Sequence, residues 1–192
     1  MRICLLVLAS LLISCSDKPK PSPSVPVYQT MHHLTAKGTM FHFNHDGKLY
    51  LGCSIHQGGM GNGTQLIREG QENAVVVKKR VHQQRDLHVW TYDESSLSSA
   101  DALPYQKSAD IRVGDRIYIL RKKERLAATV MATPAQTGSY HYGYQTSKPF
   151  PAGGWSGSPV FSARTGTVVG VLQTANSKTK ATRGGFEALN MP

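Results

Sequence analysis

The chain has 192 residues, 40% of them hydrophobic, with 22 lysines and arginines against 12 aspartates and glutamates, a formal charge of +10. That length suits one domain. A basic surface favours anionic lipid, acidic polymers or acidic substrates. The positive residues are nevertheless scattered (Lys78-Lys79-Arg80, Arg121-Lys122-Lys123, Lys178 to Arg183) without interleaved aromatics, which argues against a nucleic-acid groove.

In chain order, the first feature is a short basic start at Arg2 followed by an apolar run from Ile3 to Ile13. A membrane-spanning helix needs about 20 apolar residues, so the run reads as the core of a secretory signal instead. Leu12-Ile13-Ser14-Cys15 resembles the lipobox of bacterial lipoproteins. The resemblance implies removal of residues 1–14, acylation of Cys15, and anchorage to the membrane of a bacterial cell envelope. Acyl chains hold firmly because each buried CH₂ contributes roughly 0.8 kcal/mol. The alternative is an ordinary signal peptide with an incidental cysteine. Residues 15–27 are rich in proline, serine and lysine and read as a semi-extended tether.

The folded part then runs over residues 28–192. Cys4 leaves with the signal and Cys15 is acylated, so Cys53 has no internal disulfide partner. Its surroundings, Tyr50 to Ile55, read as a strand in which a cysteine acts as a small hydrophobe rather than a nucleophile.

Strand signals dominate this part, and no long stretch keeps a helical period. Gly38–Phe43 and Lys48–Ile55 flank Asn44-His45-Asp46-Gly47, whose Asp-Gly pair predicts a hairpin turn. A glycine-rich loop, Gly58 to Gly63, follows. Ala74–Val81 and Leu87–Tyr92 are β-branched or aromatic runs that read as strands. Asp93–Ser108 has no period and reads as a connector. Beyond it, Arg116–Leu120, Leu126–Thr133, Ser139–Gln145, Pro159–Ser162, Thr167–Thr174 and Gly185–Leu189 form a second set. Short, evenly spaced strands with polar turns imply an all-β sandwich or barrel. The connector divides them into two groups of similar size.

The densest chemical signal is Gly153-Gly154-Trp155-Ser156-Gly157-Ser158-Pro159-Val160-Phe161. A serine hydroxyl attacks a carbonyl when a base takes its proton and N–H donors receive the developing charge. Glycines beside the serine permit a turn tight enough to aim the amides of Gly154 and Ser156 at one point. Read alone, the run is equally a glycine-rich turn with a bystander serine.

Gly154-Trp155-Ser156-Gly157-Ser158-Pro159 resembles the Gly-Asp-Ser-Gly-Gly-Pro motif of trypsin-like serine proteases of the chymotrypsin fold. The resemblance implies that Ser156 is the nucleophile and that the amides of Gly154 and Ser156 form the oxyanion hole. Trp155 replaces the aspartate that pairs with a new N-terminus in relatives, so that activation switch has no counterpart here. Ser158 replaces a glycine. Leu49 to His56 resembles the strand reading L-T-A-A-H and implies His56 as the base. Arg85-Asp86-Leu87-His88-Val89-Trp90 resembles the Asp-Ile-Ala-Leu pattern and implies Asp86 as the acid, with Asp93 in reserve. His42, His45, His82 and His88 read as bystanders. The order His, Asp, Ser with gaps of 30 and 70 positions is similar to compact bacterial members of this family.

The family's fold is two antiparallel β-barrels with the active site between them, here at about 37–93 and 109–190. It implies an acyl-enzyme peptidase with a polypeptide substrate, a membrane attachment through the lipid, no nucleic acid, and no metal or organic cofactor. One pocket wall falls on Ser147 to Ala152, including Phe150, and the other on Gln173, Thr174 and Ala175 up to Asn176. The first wall carries no acid, so a preference for lysine or arginine is unsupported, while Lys148 or His141 would suit an acidic side chain. Three other classes stay open. One is a degenerate fold that binds without cleaving, favoured by Cys53-Ser54-Ile55 before His56. The second is an esterase with the same triad. The third is an adhesion lipoprotein on a β-sandwich, which predicts that the three residues lie far apart.

Overall fold

The computed structural model describes residues 28–30, 38–57, 61–68, 74–93, 102–107 and 110–192. The leader, Cys15, the tether and residues 58–60 of the glycine-rich loop lie outside the described residues. The strands are β1 (Tyr28–Thr30), β2 (Phe41–His45), β3 (Lys48–Ser54), β4 (Gln65–Arg68), β5 (Ala74–Gln84), β6 (Leu87–Tyr92) and β7 (Leu103–Pro104), then β8 (Arg116–Arg121), β9 (Glu124–Ala132), β10 (Tyr142–Phe150), β11 (Pro159–Ser162), β12 (Val168–Ala175) and β13 (Ala181–Ala188). One short helix, α1 (Pro134–Thr137), precedes β10. The architecture is all-β, in two barrel-like sheets. The first has seven strands in the order β1-β4-β5-β6-β3-β2-β7, and the second is a closed barrel, β10-β13-β12-β11-β8-β9.

Local chemistry explains the first hairpin. Pairing of His45 with Lys48 leaves only Asp46 and Gly47 in the turn, with φ of 50° and 76°. Two positive φ values define the tight turn whose twist matches the flanking strands, and Asp-Gly tolerates both. Period-two alternation then sorts side chains between layers. Leu49, Leu51 and Cys53 of β3 face the interior of the first sheet with Met40, Leu66, Val75, Val77, Trp90 and Tyr92. On the opposite face Gly52 lies under Phe41, where an added Cβ would sit 2.8 Å from the ring.

Phe41 and Phe43 belong to a middle core with Leu87, Val89, Leu120, Phe161, Val168, Val171 and Leu189, which joins the two halves. A third core, including Ile119, Val130, Tyr144, Trp155, Leu172 and Phe186, fills the closed barrel. Each fully buried side chain of this kind contributes roughly 1.5–3 kcal/mol relative to exposure. The middle core makes the crevice between the barrels a rigid boundary.

Three strands escape the sequence pattern because they are short. β7 forms inside the aperiodic connector, pairing in parallel with β2 at Phe43 and Leu103. β1 and β4 pair with each other over three residues each. The strand expected at Ser139–Gln145 is instead β10, Tyr142–Phe150. The helix α1, capped at Thr133 and closed by Gly138 at φ 65°, occupies the preceding stretch, and a register shift between Gln145 and Phe150 carries β10 onward.

Candidate active site

Strand register brings Asp86 to His56. β3 pairs with β6 up to Ser54 and Leu87, while β5 and β6 close at Gln84 and Leu87 around the two-residue turn Arg85-Asp86. Asp86 therefore leaves the sheet beside the end of β3, where a 3₁₀ turn, Ile55–Gln57, swings His56 over it. The Ile55 N–H donates to the Asp86 carbonyl at 2.8 Å. The His56 N–H donates to Asp86 Oδ1 at 3.0 Å, and His56 Nδ1 lies 2.5 Å from Asp86 Oδ2. A ring whose Nδ1–H points at the carboxylate leaves Nε2 as its free nitrogen. The His56 side chain is 45% exposed.

The second barrel supplies the serine from the turn between β10 and β11. Gly154 and Gly157 flank it at φ of 80° and 81°, a region that penalises any side chain. The Gly154 carbonyl accepts from Arg121 Nε at 3.0 Å and from Thr39 Oγ1 at 3.1 Å. The Ser156 carbonyl accepts from the Thr39 N–H at 2.8 Å, and the Trp155 carbonyl from the Ser158 N–H at 2.9 Å. With those carbonyls bound, the amides of Gly154 and Ser156 donate to nothing among the described residues. Two unspent donors on one tight turn are what an oxyanion hole requires. Trp155 is buried, its ring edge-on to Phe150 at 5.3 Å between centroids.

The halves meet at one carbonyl. Leu172 O accepts the Gly157 N–H at 2.8 Å, and the Ser54 hydroxyl lies 3.3 Å from it. Ser54 Oγ also contacts Gln173 Oε1, so its proton goes to one of the two. Gly157, the residue after Ser156, and Ser54, two residues before His56, thus both lie within hydrogen-bond distance of Leu172 O. Gln173 Nε2 donates to the Asp86 carbonyl at 3.2 Å, and the Asp86 N–H donates to Glu187 Oε2 at 3.2 Å. The second barrel therefore grips the acid's backbone at both ends. The two barrel-like sheets replace the sandwich that the adhesion reading predicts. No hydrogen bond joins Ser156 Oγ to His56 Nε2 among the described residues; in substrate-free sites such bonds are often long and tighten on binding.

Burial pushes Glu187 up to about 7, with the charge of Asp86 adding to the rise and the Asp86 N–H and Arg85 opposing it. His141, whose titration senses Asp86, Arg85 and His56, is lowered chiefly by burial. Burial raises the Cys53 thiol to about 12, in keeping with an inert core cysteine.

Two expected pocket residues are placed differently. Phe150 is buried inside the second barrel, because the extension of β10 turns it onto Trp155 rather than onto a substrate wall. Gln173 is 3% exposed and spends its amide on Asp86 and Ser54. Thr174 and Ala175 are exposed at the end of β12. Asp93 lies at the far end of β6, 3.9 Å from Lys78. Thr39, Ser54, Arg121 and Glu187 were given no place at the site by the sequence. Only Glu187 left a signal there, as a carboxyl inside the apolar run Phe186 to Leu189. Among the described residues no group of three or more histidines, cysteines or acids is placed to hold a metal.

Comparison with known proteins agrees with this architecture. Human heparin binding protein shares 13% identity and a TM-score of 0.61, over 89% of this chain and 88% of its own. An inactive form of Rv3671c from M. tuberculosis H37Rv shares 16% identity and a TM-score of 0.56, over 88% and 82%. The HtrA-type protease AlgW with a decapeptide shares 22% identity and a TM-score of 0.54, over 81% of this chain and 48% of its own. At these identities the likeness is one of fold. No curated protein sequence matches the chain. The family model of the trypsin-like peptidase domain matches residues 38–171. That match spans well over half of the chain, which thus belongs to the trypsin-like peptidase family.

Proposed function

We propose that the chain is a serine endopeptidase that cleaves polypeptides through an acyl-enzyme, with His56, Asp86 and Ser156 as its triad. His56 Nε2 takes the proton of Ser156 as the hydroxyl attacks a peptide carbonyl, then returns it to the leaving amine. Asp86 holds the ring in the required tautomer and stabilises its charged form. The amides of Gly154 and Ser156 receive the oxyanion. The observation that supports this reading best is the approach of both Gly157 and Ser54 to the Leu172 carbonyl, which sets the Ser156 turn beside the His56 turn while two amides stay unspent. The decapeptide held by AlgW, a protein of the same fold, fits a polypeptide substrate. Thr174 and Ala175, exposed at the end of β12, remain the candidate substrate contacts.

The lipobox-like Leu12 to Cys15 supports an acylated Cys15 and a domain tethered to the bacterial envelope. Incorporation of a palmitate analogue in cells is the check, and Cys15→Ala should abolish it.

A fluorophosphonate probe tests the chemistry on the detergent-solubilised full chain. Wild type should label, and Ser156→Ala and His56→Ala should lose labelling by roughly three orders of magnitude or more. An unlabelled wild type would overturn the peptidase and leave a protease-fold binding protein as the better reading. Turnover of ester but not peptide substrates would make the chain an esterase.

A further inference from the structure

An oxyanion hole acts through amides that stay aimed while the reaction proceeds. In this chain Trp155 brings no charge to the loop, since its ring is buried in the barrel core. The loop is fixed from outside instead. Arg121 is the last residue of β8, so its backbone is set by pairing with Glu124 of β9. Its Nε bonds the Gly154 carbonyl at 3.0 Å. No carboxylate pairs with this half-buried guanidinium among the described residues, so that carbonyl is its hydrogen-bond partner. Its terminal nitrogen lies 2.9 Å from where a Cβ on Gly154 would stand. The fully buried Thr39 adds two bonds, from Oγ1 to Gly154 O and from N–H to Ser156 O.

We propose that Arg121, assisted by Thr39, is the positioning residue that holds the Gly154–Ser156 loop in its hole-forming shape. The inference rests on Ser156 being the nucleophile. Its physical basis is peptide planarity. The Gly154 carbonyl and the Trp155 N–H belong to one rigid unit, and that N–H is bound to Ala152 O at 3.1 Å. That unit joins the two peptides carrying the Gly154 and Ser156 N–H groups, so rotating it breaks the bonds at both its ends and re-aims the amides on either side. A charge-assisted bond is roughly twice as strong as a neutral one, and the flat guanidinium restricts the direction of approach. Arg121 touches neither the hydroxyl nor the imidazole, so it acts only through the loop.

The second-order rate of fluorophosphonate labelling of the full chain reads the loop directly. Losing one oxyanion donor costs about 10²–10³ in turnover, and a loosened loop loses part of that. Arg121→Ala should therefore label about 10- to 100-fold more slowly, with added ethylguanidinium restoring most of the rate. Thr39→Val, which keeps the backbone N–H, should slow labelling several-fold in urea-free buffer, where the variant is still fully folded by its urea midpoint. Wild-type rates in both variants, or a slow Arg121→Ala that ethylguanidinium does not restore, overturn the proposal. A wild type that never labels overturns the nucleophile assignment instead, so the two failures are distinct.

Discussion

At the scale of single residues, the acid carries a sharp prediction. Asp86 meets His56 twice, through the backbone N–H and through Nδ1. Asp86→Asn preserves shape but places an N–H donor or a neutral oxygen against the ring, disturbing the tautomer that leaves Nε2 basic. Labelling of Ser156 should fall by about 10³–10⁴ while the urea midpoint changes little. Cys53 makes the opposite case. Its thiol is 1% exposed and pushed up to about 12, so iodoacetamide at pH 8 should alkylate it only after unfolding, as mass spectrometry would show. The candidate triad residues could be picked out because each sits in a short pattern whose type and spacing are local properties. Arg121 and Thr39 could not, since a surface arginine and a threonine in sequence carry no mark of the carbonyl that each will bond.

At the scale of elements, turn length does the positioning. The β5–β6 hairpin has two residues in its turn, so Asp86 must emerge beside the end of β3. One extra residue in that turn would shift the carboxylate relative to the imidazole. Close strand packing imposes its own limits: a Cβ on Gly170 of β12 would stand 2.6 Å from Glu187 O and 2.7 Å from the Phe186 ring. Gly170→Ala should thus destabilise the domain by about 1–3 kcal/mol, read from the urea midpoint, because a well-packed core resists added atoms. The longer strands were legible through alternation and β-branched composition. β7 and the displaced start of β10 were not, because two residues show no period and because local turn chemistry at Thr133 to Gly138 decides where β10 begins.

At the scale of the molecule, the barrel boundary ties the proposed triad's Asp86 to the stability of the fold. Gln173 and Glu187 hold the two ends of the Asp86 peptide from the opposite barrel. Glu187 keeps its proton up to about pH 7 when folded, against an ordinary value of 4.5. Between those pH values the native state binds more protons than the unfolded chain, so stability should fall as pH rises from 4.5 through 7 and then level off. Glu187→Gln cannot titrate, yet its side-chain oxygen can still accept from the Asp86 N–H. Urea midpoints measured from pH 4.5 to 8 should decline less steeply for the variant, and identical slopes would refute the assignment.

The amino-acid sequence by itself determined the strand-rich composition, the Asp46-Gly47 turn and the candidate triad. These follow from steric and hydrogen-bonding preferences acting within a few residues. Tertiary structure alone decided that Leu172 O lies within reach of both Gly157 and Ser54, that Phe150 turns into the core, and that Glu187 bonds the Asp86 N–H. Those outcomes depend on strand register and on the packing of two barrels against each other. Such contacts join positions up to 119 residues apart, and no local pattern encodes which of many compatible partners will meet.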